Sequence, residues 1–222
     1  MDVFDIIGPI MIGPSSSHTA GAVRIGHVAN KLLDGRMPKK VTITLSGSFA
    51  ETYKGHGTDR ALLAGIMGYH SYDEEIRDAL RIAEDRGIQY EFICRDIPGA
   101  HPNTALIRYK EENGQEGTVL AASIGSGNIR VDEVNGMKVD FNGEKNTLLV
   151  MHKDQPGAIA EVTNLMRYEY AQLNICSFHL SRESKGGNAV MTMELDELPP
   201  ETLIADIRNL RGVTNALLIR RL

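Results

Sequence analysis

The stretch Thr147-Leu-Leu-Val-Met-His152, followed by Asp154-Gln-Pro-Gly157, decides the fold of the C-terminal part of the chain. The first stretch is apolar and extended and predicts a strand, and the second opens a helix with a proline near its start. The pattern continues as strand, strand, helix and strand, at Leu173–Leu180, Asn188–Leu195, Pro200–Leu210 and Val213–Ile219. This βαββαβ order in about 75 residues predicts a ferredoxin-like fold.

The chain before this segment predicts a second, mixed domain. A polar, turn-forming stretch at residues 142–147 separates the two parts, so we predict domains at residues 1–142 and 148–222 of the 222-residue chain. Apolar residues at helical spacing predict helices at Thr19–Leu33, Thr58–Met67 and Glu74–Arg86. Extended apolar runs predict strands at Val41–Leu45, Gln89–Cys94, Thr104–Lys110, Thr118–Ile124, Arg130–Val134 and Lys138–Phe141. The predicted fold class is therefore α+β.

Composition excludes several functional classes. Hydrophobic residues make up 42% and charged residues 24%, as in an ordinary globular protein, and the net charge of −5 argues against a nucleic-acid binder. No window approaches the ~20 apolar residues of a membrane span, and we expect a cytoplasmic protein. Cys94 and Cys176 are too far apart in sequence for a metal motif, and we expect both to be buried, inert thiols. Because iron–sulfur clusters need three or four thiolates, this chain alone does not ligate one through cysteine.

A serine-rich stretch at residues 13–21 is the first candidate for chemistry. Five polar residues in it come directly before a predicted helix: Ser15, Ser16, Ser17, His18 and Thr19. Hydroxyls and free backbone N–H groups at the positive end of a helix can converge on an anion. The stretch is therefore predicted to bind a carboxylate or a phosphate, and a loop that merely caps the helix is the alternative.

Two further stretches again place a histidine beside Ser, Thr or Asn next to a predicted element. In Lys54–Arg60, glycines flank His56, so the backbone can approach a ligand closely. A mobile surface turn with an incidental histidine is the alternative there. In Gly99–Thr104, a proline fixes the loop that carries His101 and Asn103. Three such stretches in one domain indicate a functional site, because structural loops have no need to concentrate these groups.

Four motifs follow one another along the chain: Gly13-Pro-Ser-Ser-Ser-His-Thr-Ala-Gly21, Gly47-Ser-Phe-Ala50, Gly55-His-Gly-Thr-Asp59 and His101-Pro-Asn-Thr104. In this order they resemble the iron–sulfur-dependent bacterial L-serine dehydratases, and most closely the β subunit of the two-chain type. The N-terminal domain is also similar to the intervening domain of some phosphoglycerate dehydrogenases, which binds anions for regulation. The C-terminal part resembles an ACT domain.

The resemblance implies a subunit of an L-serine ammonia-lyase, a lyase that converts L-serine to pyruvate and ammonia in serine catabolism and gluconeogenesis. It implies a [4Fe–4S] cluster ligated by a partner α subunit, no metal ligand in this chain, and a heterodimer that is active only with that subunit. By the same resemblance, His18 and His56 are the catalytic candidates. The implied substrate-binding residues are Ser15, Ser16, Ser17, Thr19, Gly57, Thr58, His101 and Asn103.

The ACT resemblance implies self-association and an effector site for an amino acid at Gln155, Pro156, Gly157 and Asn174. An oligomerisation module without a ligand is the alternative, because an exposed sheet edge commonly pairs with another. For the whole chain, the alternative to a dehydratase β subunit is a non-catalytic regulatory subunit. Such a subunit would sense serine or another small anion through the loop site and the ACT domain.

Overall fold

The computed structural model describes residues 9–222 and divides into two compact units. The first unit ends at Gly136, and the second is Met137–Leu222. Each unit combines helices with a sheet, which confirms the predicted α+β fold class. The division comes before the polar stretch on which the sequence-based domain boundary rests, and the limits of the two domains stay a prediction.

The first unit contains five strands: β1 (Lys40–Ser46), β2 (Gln89–Cys94), β3 (Thr104–Lys110), β4 (Glu116–Gly125) and β5 (Asn128–Val134). They lie side by side in the order β2-β1-β3-β4-β5. The β1–β2 pair is parallel and the other neighbours are antiparallel. The register aligns Ile43, Ile107 and Val119 across three strands, and all three side chains are fully buried. This alternation of inward apolar residues explains why the strands were predictable from sequence.

The helical elements of this unit are a π-helical turn (Ser16–Gly21), α1 (Ala22–Leu32), α2 (Ser48–His56), α3 (Thr58–Ile66), a 3₁₀ turn (Glu74–Asp78) and α4 (Ala79–Asp85). Helices α1 and α3 pack with their backbones almost in contact, because glycines occupy the crossing point. A Cβ atom on Gly65 would lie 2.1 Å from the carbonyl oxygen of Val23, and one on Gly26 would lie 2.3 Å from that of Leu62. None of the helices in residues 9–222 is long and apolar enough to cross a membrane.

The second unit contains β6 (Met137–Phe141), β7 (Asn146–Lys153), α5 (Ala158–Glu169), β8 (Ile175–Arg182), β9 (Asn188–Leu195), α6 (Thr202–Arg208) and β10 (Val213–Ile219). Its four-stranded antiparallel sheet has the order β10-β7-β9-β8. Val162 of α5 and Ile207 of α6 pack with Val150 and Met191 of the sheet in one apolar cluster. The predicted ferredoxin-like order is confirmed.

The two cysteines correct one prediction, because both are exposed. Cys94 ends β2 and Cys176 lies in β8, and each of these strands is at the edge of its sheet. The Cys94 Sγ lies 3.5 Å from the carbonyl oxygen of Ala50, and the Cys176 Sγ lies 3.4 Å from that of Glu194. An apolar pattern does not distinguish an edge strand from an inner one, and the prediction of buried thiols failed for that reason.

Candidate active site

The serine-rich stretch forms a single π-helical turn that continues into α1. Ser15 precedes this turn in an extended conformation, and its Oγ accepts a hydrogen bond from the backbone N–H of His18 at 3.3 Å. π-Helical turns are rare and are often found at functional sites. His18 and Thr19 are buried in this turn, whereas Ser16 and Ser17 are half-buried.

Hydroxyl groups hold both ring nitrogens of His18. Its Nδ1 lies 3.4 Å from Ser15 Oγ, and its Nε2 lies 3.1 Å from Thr52 Oγ1 and 3.4 Å from Ser48 Oγ. Thr52 donates its own hydroxyl hydrogen to the Ser48 carbonyl oxygen at 2.7 Å, so a Thr52 lone pair is available to the ring. This network assigns the hydrogen of the neutral ring to Nε2 and leaves Nδ1 to accept from Ser15.

The environment of His18 favours its neutral form. Burial lowers the pKa of His18 below its ordinary value of 6.5, and repulsion from a charged His56 lowers the pKa further. The ring centroids of His18 and His56 are 4.6 Å apart, and the ring of Phe49 lies 5.1 Å from His18. At neutral pH His18 therefore contributes hydrogen bonds rather than positive charge.

His56 lies at the end of a helix, which corrects the prediction that residues 54–57 form a loop before the helix at Thr58–Met67. Residues 54–56 form the last turn of α2, and Gly57 alone separates this helix from α3. Gly57 has φ 70°, a left-handed conformation that favours glycine. Thr58, one of the predicted substrate-binding residues, is the first residue of α3 and is fully buried.

A cavity of about 360 Å³ opens beside the α2–α3 junction and the start of the serine-rich stretch. Three predicted site residues line it: Thr19, His56 and Gly57. The rest of its wall includes the apolar side chains of Met11, Ile12 and Ile76 and the cationic side chains of Lys54, Arg60 and Arg77. Within residues 9–222, no acidic side chain lines this cavity.

Three buried polar atoms at this place lack a hydrogen-bond partner among the described residues: Thr19 Oγ1, His56 Nδ1 and Thr58 Oγ1. Buried polar atoms are normally hydrogen-bonded, so unpaired ones point to a ligand or to water. Gly13 lies directly over Thr19, since a Cβ atom there would come within 2.1 Å of the Thr19 hydroxyl oxygen. A ligand in the cavity could satisfy both Thr19 and His56.

The third predicted stretch lies next to this site, but its side chains are used elsewhere. The Pro102 carbonyl oxygen accepts from the backbone N–H of Phe49 at 3.3 Å, which places the loop against the first turn of α2. The His101 Nδ1 accepts from the Asn103 N–H at 3.2 Å, and the Asn103 side chain donates to the Ser123 carbonyl oxygen at 3.5 Å. Neither His101 nor Asn103 lines the cavity.

The predicted effector residues of the second unit fall into two groups. Residues 155–157 follow the end of β7, which pairs with the start of β9. Asn174 precedes the start of β8, which pairs with the end of β9. The two groups therefore lie at opposite ends of the sheet. Asn174 donates from its backbone N–H to Glu197 and from its side chain to Asp196, both at 2.8 Å. A single copy of the unit therefore does not bring the two groups together.

Five residues that shape the site have no individual role in the sequence-based predictions: Ser48, Thr52, Lys54, Arg60 and Arg77. Ser48 and Thr52 are four residues apart on α2, a spacing that puts both on one helix face. This helix has no apolar stripe, because Phe49 is its one buried residue. Arg77 comes from the 3₁₀ turn after α3, and nothing in its local sequence indicates a cavity.

Comparison with known proteins gives a consistent result. The family described as "Serine dehydratase beta chain" matches residues 2–90. The chain is 43% identical to the "Probable L-serine dehydratase, beta chain" of Bacillus subtilis over 211 residues, which are 95% of this chain and 94% of that protein. It is 36% identical to the "L-serine dehydratase, beta chain" of Peptoniphilus asaccharolyticus over 214 residues, 96% of this chain and 95% of that protein.

The chain is also similar, at lower identity, to part of a larger protein. It is 24% identical to a D-3-phosphoglycerate dehydrogenase of Synechocystis over 205 residues, which are 90% of this chain but 35% of that protein. The two β chains, by contrast, match at higher identity over 94–96% of both sequences. This chain belongs to the family of L-serine dehydratase beta chains.

Proposed function

We propose that this chain is the substrate-binding half of an L-serine dehydratase, which converts L-serine to pyruvate and ammonia together with a partner α chain in the cytoplasm. One observation carries the proposal: Thr19 and His56 line the cavity together with three cations, and each of the two has a buried polar atom without a partner among the described residues. This set of groups suits a small carboxylate ligand and the transfer of one proton. The family membership supports serine as that ligand.

In this proposal His56 is the catalytic residue, because its ring reaches the cavity. The His56 ring takes the α-proton of serine, the Cβ–O bond breaks, and the hydroxyl group leaves as water once it has received that proton from His56. The remaining enamine moves one proton from its nitrogen to its terminal carbon and becomes an imine. Water then hydrolyses the imine to pyruvate and ammonia, so that one water is released and one is consumed.

His18 acts in this proposal as a positioning residue. It does not line the cavity, its ring packs against His56, and both of its nitrogens are engaged by hydroxyls. A neutral His18 orients the His56 ring without adding a second positive charge beside it. Replacing His18 should therefore change the rate and its pH dependence more than the affinity for serine.

The described residues of this chain do not fit a cluster site. Within residues 9–222, no three His, Cys, Asp or Glu side chains are grouped so that they could hold a metal ion. Cys94 and Cys176 belong to different units of the structure. We therefore assign the ligands of the [4Fe–4S] cluster to the α chain and derive no step of the reaction through it.

The test is reconstitution. The chain is mixed anaerobically with an iron-reconstituted α chain, and pyruvate formation is followed over a range of pH. His56→Gln should lower kcat by at least about a hundredfold, as the loss of a proton-transfer group does. His70→Gln is the matched control, because His70 is an exposed histidine of the same unit that does not line the cavity. A His56→Gln complex with near-normal kcat would remove His56 from the proton transfer.

A ligand-sensing, non-catalytic role is the second candidate. The similarity to a D-3-phosphoglycerate dehydrogenase favours this role, because the matching region makes up 35% of a protein that is named for a different reaction. The same reconstitution separates the two functions. If His18→Gln and His56→Gln complexes keep full turnover and lose only their activation by serine, the sensing role replaces the catalytic one.

We also propose that the second unit self-associates through β8. This strand is at the edge of its sheet and carries the exposed side chains of Phe178 and Leu180. Pairing two copies through β8 would let residues 155–157 of one copy approach Asn174 of the other.

Light scattering of the full chain should give the mass of a dimer, and the Phe178→Glu variant should give the mass of a monomer. Titration calorimetry with serine, before and after this substitution, tests the effector site.

A further inference from the structure

The charge of the cavity is opposite to that of the chain as a whole. Lys54, Arg60 and Arg77 meet at its wall in a protein whose net charge is −5. All three side chains are exposed, and none forms an ion pair with a carboxylate in the part of the chain that the structure describes. The Lys54 Nζ lies 5.7 Å from the centre of the Tyr53 ring, and this contact leaves its charge unneutralised. The positive charge of the three side chains can therefore act on a ligand.

Asp59 does not offset this charge for a ligand. It interacts electrostatically with Lys54 and Arg60, but it is buried in the first turn of α3 and does not line the cavity. Its Oδ1 accepts a hydrogen bond from the backbone N–H of Arg60 at 2.8 Å. Burial also raises the pKa of the Asp59 carboxyl, which disfavours its charged form.

These groups match one end of an amino acid and oppose the other. A carboxylate can accept from the forked guanidinium groups and from the Thr19 hydroxyl, which is 2% exposed and has no other partner. An α-ammonium group needs an acidic acceptor and would here meet three cations. The geometry points to a divided recognition of the substrate, which rests on the proposed function. This chain binds the carboxylate end, and the acceptor for the ammonium group comes from the partner chain.

Three small molecules separate the two ends of serine. L-Serine carries both charges, 3-hydroxypropionate is the same skeleton without the ammonium group, and L-serinamide keeps the ammonium group but has a neutral amide in place of the carboxylate. One like-charge pair at about 5 Å in a water-like dielectric weakens binding roughly fourfold. The isolated chain should therefore bind 3-hydroxypropionate at least about fourfold more tightly than L-serine, and it should not bind L-serinamide.

The experiment titrates the isolated full chain with each probe by calorimetry and repeats the titrations with charge-neutral variants. Arg60→Gln and Arg77→Gln should each weaken 3-hydroxypropionate binding roughly fourfold. Each should also reduce the ratio of the affinity for 3-hydroxypropionate to the affinity for L-serine. Arg81→Gln is the control, since Arg81 follows the same 3₁₀ turn, pairs with Asp78 and Asp85, and does not line the cavity. Circular dichroism checks that the exposed substitutions leave the fold intact. In the complex with the α chain, the order should reverse, with L-serine preferred.

Each outcome decides the matter. Divided recognition is supported if the isolated chain binds 3-hydroxypropionate more tightly than L-serine and does not bind L-serinamide. The affinity for 3-hydroxypropionate should then fall in the Arg60 and Arg77 variants and not in the Arg81 variant. Tighter binding of L-serine or L-serinamide by the isolated chain, or no binding of 3-hydroxypropionate, overturns it. The proposed function is judged separately, by pyruvate formation in the complex. An active complex whose β chain alone prefers L-serine leaves the enzyme assignment standing and removes this inference.

Discussion

The crossing of α1 and α3 at Gly65 allows a sharp prediction about stability. In Gly65→Ala, the new methyl group would lie 2.1 Å from the Val23 carbonyl oxygen and 3.0 Å from the Gly26 Cα. Both obstacles are backbone atoms, so no side-chain rotation relieves the clash. The two helices must separate by roughly 1 Å before the methyl group fits at normal van der Waals distance.

The magnitude follows from two opposing effects. Alanine is favoured over glycine in a helix by up to about 1 kcal/mol. Overpacking a close-packed interface costs about 1–3 kcal/mol, and a clash between backbones belongs at the upper end of that range. The free energy of unfolding of the first unit should therefore fall by about 2 kcal/mol in Gly65→Ala.

Gly55→Ala is the matched control. Gly55 also lies in a helix, α2, but a Cβ atom there meets nothing within 4 Å. This substitution should leave stability unchanged or raise it by up to about 1 kcal/mol. Urea denaturation followed by circular dichroism gives the free energies, and hydrogen exchange shows whether protection is lost in α1 and α3 while the second unit keeps its own. If Gly65→Ala is as stable as Gly55→Ala, the glycine contact does not set the helix separation.

Three further predictions concern buried polar groups of the first unit. Burial lowers the pKa of His27 to about 4 from 6.5, so unfolding takes up a proton below pH 6.5 and stability falls as the pH drops from 6.5 towards 4. The loss should be about 2 kcal/mol between pH 7 and 5 in urea denaturation, and His27→Gln should flatten this dependence. Asn30→Leu leaves the Ile66 carbonyl oxygen without its 3.0 Å donor and should cost about 1–2 kcal/mol in the same assay. Thr52→Val removes the nearer of the two hydroxyl partners of His18 Nε2 and leaves the Ser48 Oγ at 3.4 Å. This substitution should lower kcat of the complex while leaving KM nearly unchanged, as steady-state kinetics would show.

The strands were predictable from sequence because their burial alternates locally. In β3, the buried residues include Ala105, Ile107 and Tyr109, and Arg108 and Lys110 between and after them are exposed. β9 does not alternate, because its residues from Ala189 to Met193 are all buried, and its mostly apolar run indicates a strand instead. Sequence patterning failed for α2, because a helix with one buried residue has no apolar stripe to detect. The segment is helical in its tertiary setting, packed against β1 and α3, with a left-handed glycine at its end.

The candidate site was predictable only in the parts that one stretch of sequence contains. The serine-rich stretch and His56 were identified because hydroxyls, glycines and histidines cluster there. The two hydroxyls at His18 Nε2 come from α2, 30 and 34 residues further along the chain, and the printed sequence does not show that they meet His18. Arg77 is an ordinary charged residue between acidic neighbours, and its place at the cavity depends on how α3 and the 3₁₀ turn are packed.

The glycine crossing also connects stability with the site. Thr19 lies just before α1 and His56 just before α3, so these two cavity residues are held by the helices that Gly65 brings into contact. A shift of about 1 Å between catalytic groups can cost roughly a hundredfold in rate. At low temperature, where Gly65→Ala is still folded, kcat/KM of the reconstituted complex should therefore fall far more than the folded fraction does. Normal kcat/KM in the folded variant would mean that the cavity is positioned by other contacts, with β1 or the serine-rich stretch as the remaining supports.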